Sequence, residues 1–188
     1  ALTEPKTYPD INIEIEGESG IWKTDGLPMI YAPRHWIMGI HKDVENALGR
    51  ETYKKLLYKS SYHAAQQWCE QQFKYHGYSN IELLKHYLRI SSKRGLALFS
   101  LKSYDMQAGL VEIELRHCCY VLHHRHVSGN KLSANTECYA FAGSFSGALD
   151  WIAHSEKLAH QFFGFETECA AQTGNEKCRL EFRSTKIS

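Results

Sequence analysis

No stretch of this chain approaches the roughly 20 consecutive apolar residues that a membrane-spanning helix needs. The opening ALTEPKTYPD also lacks the basic and apolar regions of a signal peptide. A cytoplasmic location without membrane contact is therefore expected. An excess of one charge is missing too. Lys plus Arg number 22 against 21 Asp plus Glu, and no run of like charge stands out, so the footprint of a protein that binds nucleic acid directly is absent. There is no Gly-rich phosphate loop and no His-Glu-x-x-His motif. Gly143-Ser-Phe-Ser-Gly147 differs from a nucleophile elbow because Phe145 occupies the central position where that mechanism needs serine. Its small residues instead predict a helix that approaches a neighbouring backbone. No internal repeat, low-complexity tract or visible catalytic dyad directs the reading toward an enzyme.

What is present suits one compact unit: 188 residues, 43% of them apolar. Residues 10–16 alternate, with Ile11, Ile13 and Ile15 on one face, which predicts a half-buried strand. Met29, Ile30 and Tyr31 read as a second strand. From Asp43 the period becomes helical, pauses at Gly49, and runs on through Trp68 and Phe73 to a C-cap glycine at Gly77. Ser79-Asn-Ile-Glu82 is a capping-box pattern opening another helix that Gly95 ends. Residues 96–100 and 111–126 read as extended, the latter from the alternation of Val111, Ile113 and Leu115 with charged neighbours. A helix is expected from Thr136 to about His154, and a terminal hairpin pairs residues 162–169 with 177–182 across Thr173-Gly174-Asn175. The expected fold is α+β, an antiparallel sheet packed with helices, with residues 1–34 as a strand-rich arm and 35–188 as the ligand-binding domain.

The sulfurs carry the chemistry. Cys169 and Cys178 flank the glycine turn, so a hairpin brings both thiols to one point, and Glu166 lies three residues before the first. Zinc takes about four ligands, and three thiolates with a carboxylate close its shell, which defines a structural site. Cys138, at the start of the helix expected to pack on the hairpin, is the natural third thiolate. In a regular strand Glu166 and Cys169 point to opposite faces, so a bulge near Thr167 is required. Without one, Glu168 or His160 competes for the fourth position. Spacing alone leaves buried free cysteines as the competing reading.

Glu166-x-x-Cys169, the Gly174 turn and Cys178, together with Cys138-Tyr-Ala-Phe-Ala-Gly143-Ser-Phe-Ser-Gly147, resemble the end of the 4-vinyl reductase domain. Leu48-Gly49-Arg50-Glu51 running into Tyr53, Leu56, Leu57 and Tyr62 is similar to that family's first long helix. Its members include sensory domains of aromatic-responsive bacterial regulators and a protein linked to bacteriochlorophyll synthesis, and they share an α/β fold with small subunits of the vesicle-tethering complex. The resemblance implies Zn2+ held by Cys138, Glu166, Cys169 and Cys178 beside a buried small-molecule pocket, in a homodimer serving a fused or separate effector. The stretch before Cys138 lacks the tryptophan-and-serine pattern of phenol-responsive members, so phenol specificity is not implied.

The expected function is a sensory or carrier domain for an apolar or aromatic small molecule. The alternative is an enzyme or accessory that holds a tetrapyrrole or aromatic substrate. Trp36, Trp68, Tyr87, Phe99 and His117 are the candidate pocket residues, since they fall on elements expected to face the sheet. The run His117, His123, His124 and His126 is a candidate second metal or cofactor site, with an exposed polar strand as the competing reading. Cys118 and Cys119, read as strand neighbours, are expected to send one thiol inward and one outward.

Overall fold

The computed structural model describes residues 11–186. The chain begins with a small antiparallel sheet of β1 (Glu14–Glu16), β2 (Ile21–Thr24) and β3 (Leu27–Met29) in the order β1-β2-β3. The predicted strand thus shrinks to its last three residues, with Asp10 outside the described region. Its apolar face is not half-buried: Ile13 and Ile15 are 49% and 60% exposed. The isoleucine alternation predicts a half-buried strand, but among the described residues Ile13 and Ile15 are left exposed. Exposure continues through Trp22, Ile30, Tyr31 and Trp36.

Three helices follow, α1 (Arg34–Leu48), α2 (Arg50–His76) and α3 (Asn80–Lys93). Gly49 and Gly77 separate them at φ 78° and 73°, a left-handed geometry that costs glycine nothing. Ser79 stands at the predicted N-cap of α3, but its hydroxyl makes no capping bond. The buried face of α1 also departs from the pattern, being formed by Met38, His41 and Glu45 in place of an apolar stripe.

A four-stranded sheet comprises β4 (Leu98–Asp105), β5 (Leu110–Arg116), β6 (His160–Glu168) and β7 (Lys177–Lys186), ordered β4-β5-β7-β6 with every neighbour antiparallel. Val111, Ile113 and Leu115 of β5 turn inward with Cys178, Leu180 and Phe182 of β7. Outward-facing Glu114 is ringed by Lys177, Arg116 and Lys102 at 3.2, 3.4 and 3.7 Å. Residues expected to continue β5 instead form α4 (Cys119–Ser128), because His117 at φ 53° ends the strand and turns the chain. Both Cys118 and Cys119 are consequently buried, since strand alternation does not apply to a helix start.

The organising element is α5 (Tyr139–Ser155), buried on nearly all sides between α2 and the sheet. Its approach to α2 is set by small residues. A Cβ added at Gly143 or Gly147 would collide with the backbone carbonyl of Tyr58 or Tyr62, respectively. The predicted close approach is present, and two hydrogen bonds secure it: Tyr58 Oη to Ser146 Oγ at 2.8 Å and Tyr62 Oη to Asp150 Oδ2 at 2.6 Å. The single turn α6 (Ala170–Thr173) interrupts the predicted terminal hairpin between β6 and β7.

Candidate functional site

At the sheet end nearest the start of α5, Cys138, Glu166 and Cys178 meet, with Cys169 beside them. Cys138 is the residue before α5, Cys169 the residue before α6, and Cys178 lies on β7; all three are buried. The bulge that the sequence required is there: Glu166 pairs with Leu180 but Glu168 with Arg179, leaving Thr167 as the extra residue. Two residues opposing one resets the strand's alternation, and Glu166 turns toward the thiols. Its Oε2 accepts the Cys138 backbone N–H at 2.8 Å, while Oε1 is buried without a partner. The Cys138 and Cys178 sulfurs are 3.6 Å apart, and one ligand atom each from Cys138, Glu166 and Cys178 falls within 4.8 Å of the others. Cys169 interacts with the thiols of Cys138 and Cys178 and with Glu166.

These residues fit a zinc ion. A sulfur separation of 3.6 Å is close to the edge of about 3.8 Å that zinc–sulfur bonds of about 2.3 Å impose on a tetrahedron. The orphaned Glu166 oxygen would receive from a cation the partner the protein does not supply. Burial, and then the neighbouring Cys169, raise the Glu166 carboxyl to about 9. The competitors lie elsewhere: Glu168 accepts from Asn175 at 2.8 Å, and His160 pairs with Ser184 at the far end of β6. Cys118, not among the expected ligands, also reaches this cluster, its sulfur 3.1 Å from that of Cys138. Its burial depends on the helix at 119, which the strand reading hid.

The pocket candidates divide. Trp68, Tyr87 and Phe99 converge: Trp68 stacks on Tyr87 at 4.4 Å, and Tyr87 and Phe99 pack edge-on against Phe145 of α5 at 5.5 and 5.2 Å. Trp36 does not join them, being 53% exposed on α1. His117 lines a separate cavity of about 170 Å³ beside Cys118, Cys178 and Arg125. Thus the structure groups three of the five.

Around Trp68 the packing turns polar. Its ring also stacks on His86 at 5.4 Å, and His86 Nε2 meets Gln72 Oε1 at 2.9 Å while Arg89 donates to Nδ1 at 2.8 Å. Asp25, in the β2–β3 turn, faces His76 and His86 at 3.5 and 3.8 Å. Three donors in this region are buried without partners: Trp68 Nε1, Gln72 Nε2 and Arg94 Nη2. Trp68 and Gln72 are one helical turn apart on α2, a spacing that signals one shared face, but an apolar stripe does not point to the polar Gln72, His86 and Arg94 that the structure gathers there.

Of the His-rich run, His117 precedes α4 while His123, His124 and His126 lie on it, and none of the three candidate metal-donor groups among the described residues is drawn from the run. One such group, His41, Glu45 and Glu137, already has its cation: Arg50 contacts Glu45 at 3.1 Å and Glu137 at 3.8 Å.

Burial lowers His41 and His86 from 6.5 to about 4. Both are held neutral when folded, so their contribution is present above about 6.5 and is lost as pH falls through about 4. Glu137 and Asp150, raised by burial, act in the opposite sense. The fall in melting temperature between pH 6.5 and 4 is therefore expected to be shallower in His41→Gln and His86→Gln than in the parent. Parallel curves would refute the assignment.

The fold is similar to that of the phenol-responsive sensory domain of the transcription activator PoxR, solved with phenol, at a TM-score of 0.75 and 15% identity over 91% of this chain and 84% of that one. It is also similar to a trafficking protein particle complex subunit 3 from Naegleria fowleri, covalently bound to palmitic acid, at a TM-score of 0.55 and 9% identity over 82% of this chain and 96% of that one. At these identities the likeness is one of fold. Among curated proteins, none matches the sequence. The chain belongs to the family described as a domain of unknown function, DUF5943, which it matches over residues 7–102. That segment contains β1 to β3, α1, α2 and α3, and hence Trp68, Gln72, His86 and Arg94. Among the described residues, no helix is long and apolar enough to cross a membrane.

Proposed function

We propose that this chain is a small-molecule-binding sensory domain of the 4-vinyl reductase type, built around an aromatic-lined interior between α2, α3 and α5. The observation that carries this reading is the trio of unpartnered buried donors beside stacked aromatic rings. Leaving such groups unsatisfied costs about 1–3 kcal/mol each, a cost that a bound molecule offsets. The fold shared with a sensory domain supports the reading.

A structural zinc held by Cys138, Glu166, Cys169 and Cys178 ties the β6–β7 hairpin to the first turn of α5. Two turns further along, the same helix presents Ser144 to Tyr87 at 2.5 Å and Phe145 to Phe99. The metal thus fixes the helix that forms the inner wall of the ligand site. Ligand binding biases the domain between two states by differential affinity, and a homodimer transmits the change to an effector. The apolar surface of Ile15, Trp22, Ile30, Tyr31 and Trp36 supports a second copy as the partner.

Native mass spectrometry of the purified chain tests these elements together. The expected species is a dimer carrying one small molecule and one zinc per chain, about the number that one closed four-ligand site holds. A monomer without any bound organic molecule, and unchanged in mass after incubation with aromatic compounds, would overturn the proposal.

A further inference from the structure

The unpaired groups around Trp68 share one chemical character: all are donors. Trp68 Nε1 and the Gln72 amide nitrogen can only donate, and so can a guanidinium. The nearby amide and imidazole acceptors are already used. Arg89 donates to His86 Nδ1, so His86 Nε2 carries the proton and gives it to Gln72 Oε1. A ligand hydroxyl would bring a further donor to a place already crowded with them, whereas a group that only accepts would satisfy the set.

Charge points the same way. Arg89, Arg94 and Asp25 are the charged side chains acting on His86, with His76 beside them. Arg89 and Arg94 against Asp25 are two cations and one anion, and burial keeps His86 neutral, so these groups leave an excess of positive charge. Arg94 has no carboxylate within ion-pair distance among the described residues, although its Nη2 is buried. Away from the polar end, the Trp68–Tyr87 stack runs on to Phe145 and Phe99, buried rings in mutual contact that a ligand ring would have to part. The Asp25–Gly26 turn packs over the outside of this region, with a Cβ built at Gly26 lying 3.2 Å from Gln71 and 3.5 Å from Tyr75. A ligand would enter by displacing that turn.

We infer that the site takes an aromatic carboxylate, its carboxylate received by Trp68 Nε1, Gln72 Nε2 and Arg94 Nη2 and its ring directed toward Tyr87 and Phe145. This rests on the small-molecule reading above and specifies its ligand class.

The test is calorimetric titration of the full chain with benzoate, phenol and toluene, read in parallel by tryptophan fluorescence. Benzoate is expected to bind at least about tenfold more tightly than either neutral ring, because hydrogen bonds to a charged group are worth about 1.5–3 kcal/mol. Arg94→Met should weaken benzoate by about ten- to a hundredfold while leaving toluene unchanged, and Arg94→Lys should restore part of the loss. Circular dichroism and melting temperature identify any variant that fails to fold. In that event Gln72→Leu, which removes a donor without removing charge, carries the same comparison with a smaller expected loss. Binding of phenol or toluene with benzoate excluded would overturn the carboxylate assignment and leave the small-molecule reading standing. Unchanged benzoate affinity in the folded variants, or no binding by any of the three probes, would also overturn it. Failure of the broader reading shows separately, as the absence of any bound organic molecule in native mass spectra.

Discussion

Protein purified without added metal is expected to contain about one zinc per chain, and Cys178→Ser to remove it together with much of the thermal stability. The buried thiols of Cys138 and Cys178 cluster with Glu166, whose Oε1 has no partner, and the Cys169 thiol adjoins them, so without a cation the protein leaves that oxygen unsatisfied. Structural zinc sites in small peptides contribute an apparent 10–16 kcal/mol or so. Here a smaller contribution is expected, because the sheet and α5 have a core of their own. Even about 4 kcal/mol corresponds to a melting-temperature loss of roughly 8–16 °C in a chain of this size. The lost order should appear first where the ligands tie distant segments together, as faster amide exchange in residues 167–176 and at the start of α5.

The same experiment separates the fourth-ligand candidates. Glu166→Gln is expected to weaken metal retention without abolishing it, since three thiolates remain. Cys118→Ser should leave zinc content unchanged if Glu166 completes the shell. If Cys118→Ser removes the metal and Glu166→Gln does not, the fourth ligand is sulfur. A metal-free protein with the same melting temperature as its metal-treated form would refute the site altogether.

Gly147→Ala is expected to destabilise the chain by about 2 kcal/mol or more, against the usual helix-propensity trend. In an open helix, alanine for glycine gains about 1 kcal/mol. At Gly147 the new methyl group meets the Tyr62 carbonyl in the backbone of α2, which cannot rotate away as a side chain would. Overpacking costs typically 1–3 kcal/mol and occasionally more. The rigid neighbour places this site at the upper end, and the collision outweighs the propensity gain. The internal control is Gly39→Ala in α1, where nothing lies within 4 Å of an added Cβ. That substitution should stabilise by about 0.5–1 kcal/mol. Chemical denaturation of both variants reads the contrast, and a Gly147→Ala protein as stable as its parent would show that α2 and α5 are not locked in this packing.

Some of this architecture was legible because one local pattern dictated it. Gly49 and Gly77 punctuate two helices where left-handed backbone is needed. The alternation from Val111 to Leu115 marks a strand with one face in the core. The glycine–serine face of α5 announced a close approach, although not its partner. Other signals misled because their competing principle lay outside the local sequence. The 119–126 stretch has the composition of a strand, but positive φ at His117 redirects the chain into a helix. The apolar face around Ile13 and Ile15 is left uncovered among the described residues.

By itself, then, the sequence determined the class of fold, the convergence of Cys138, Cys169 and Cys178, and the need for a bulge, because side-chain alternation made Glu166 and Cys169 incompatible in a regular strand. Only the tertiary structure decided that Thr167 supplies the bulge, that Cys118 joins the sulfurs, and that Trp68, Gln72 and Arg94 gather around His86. Those outcomes depend on how α2, α3, α5 and the sheet approach one another. Periodicity records which face of an element is buried, but not what that face will meet.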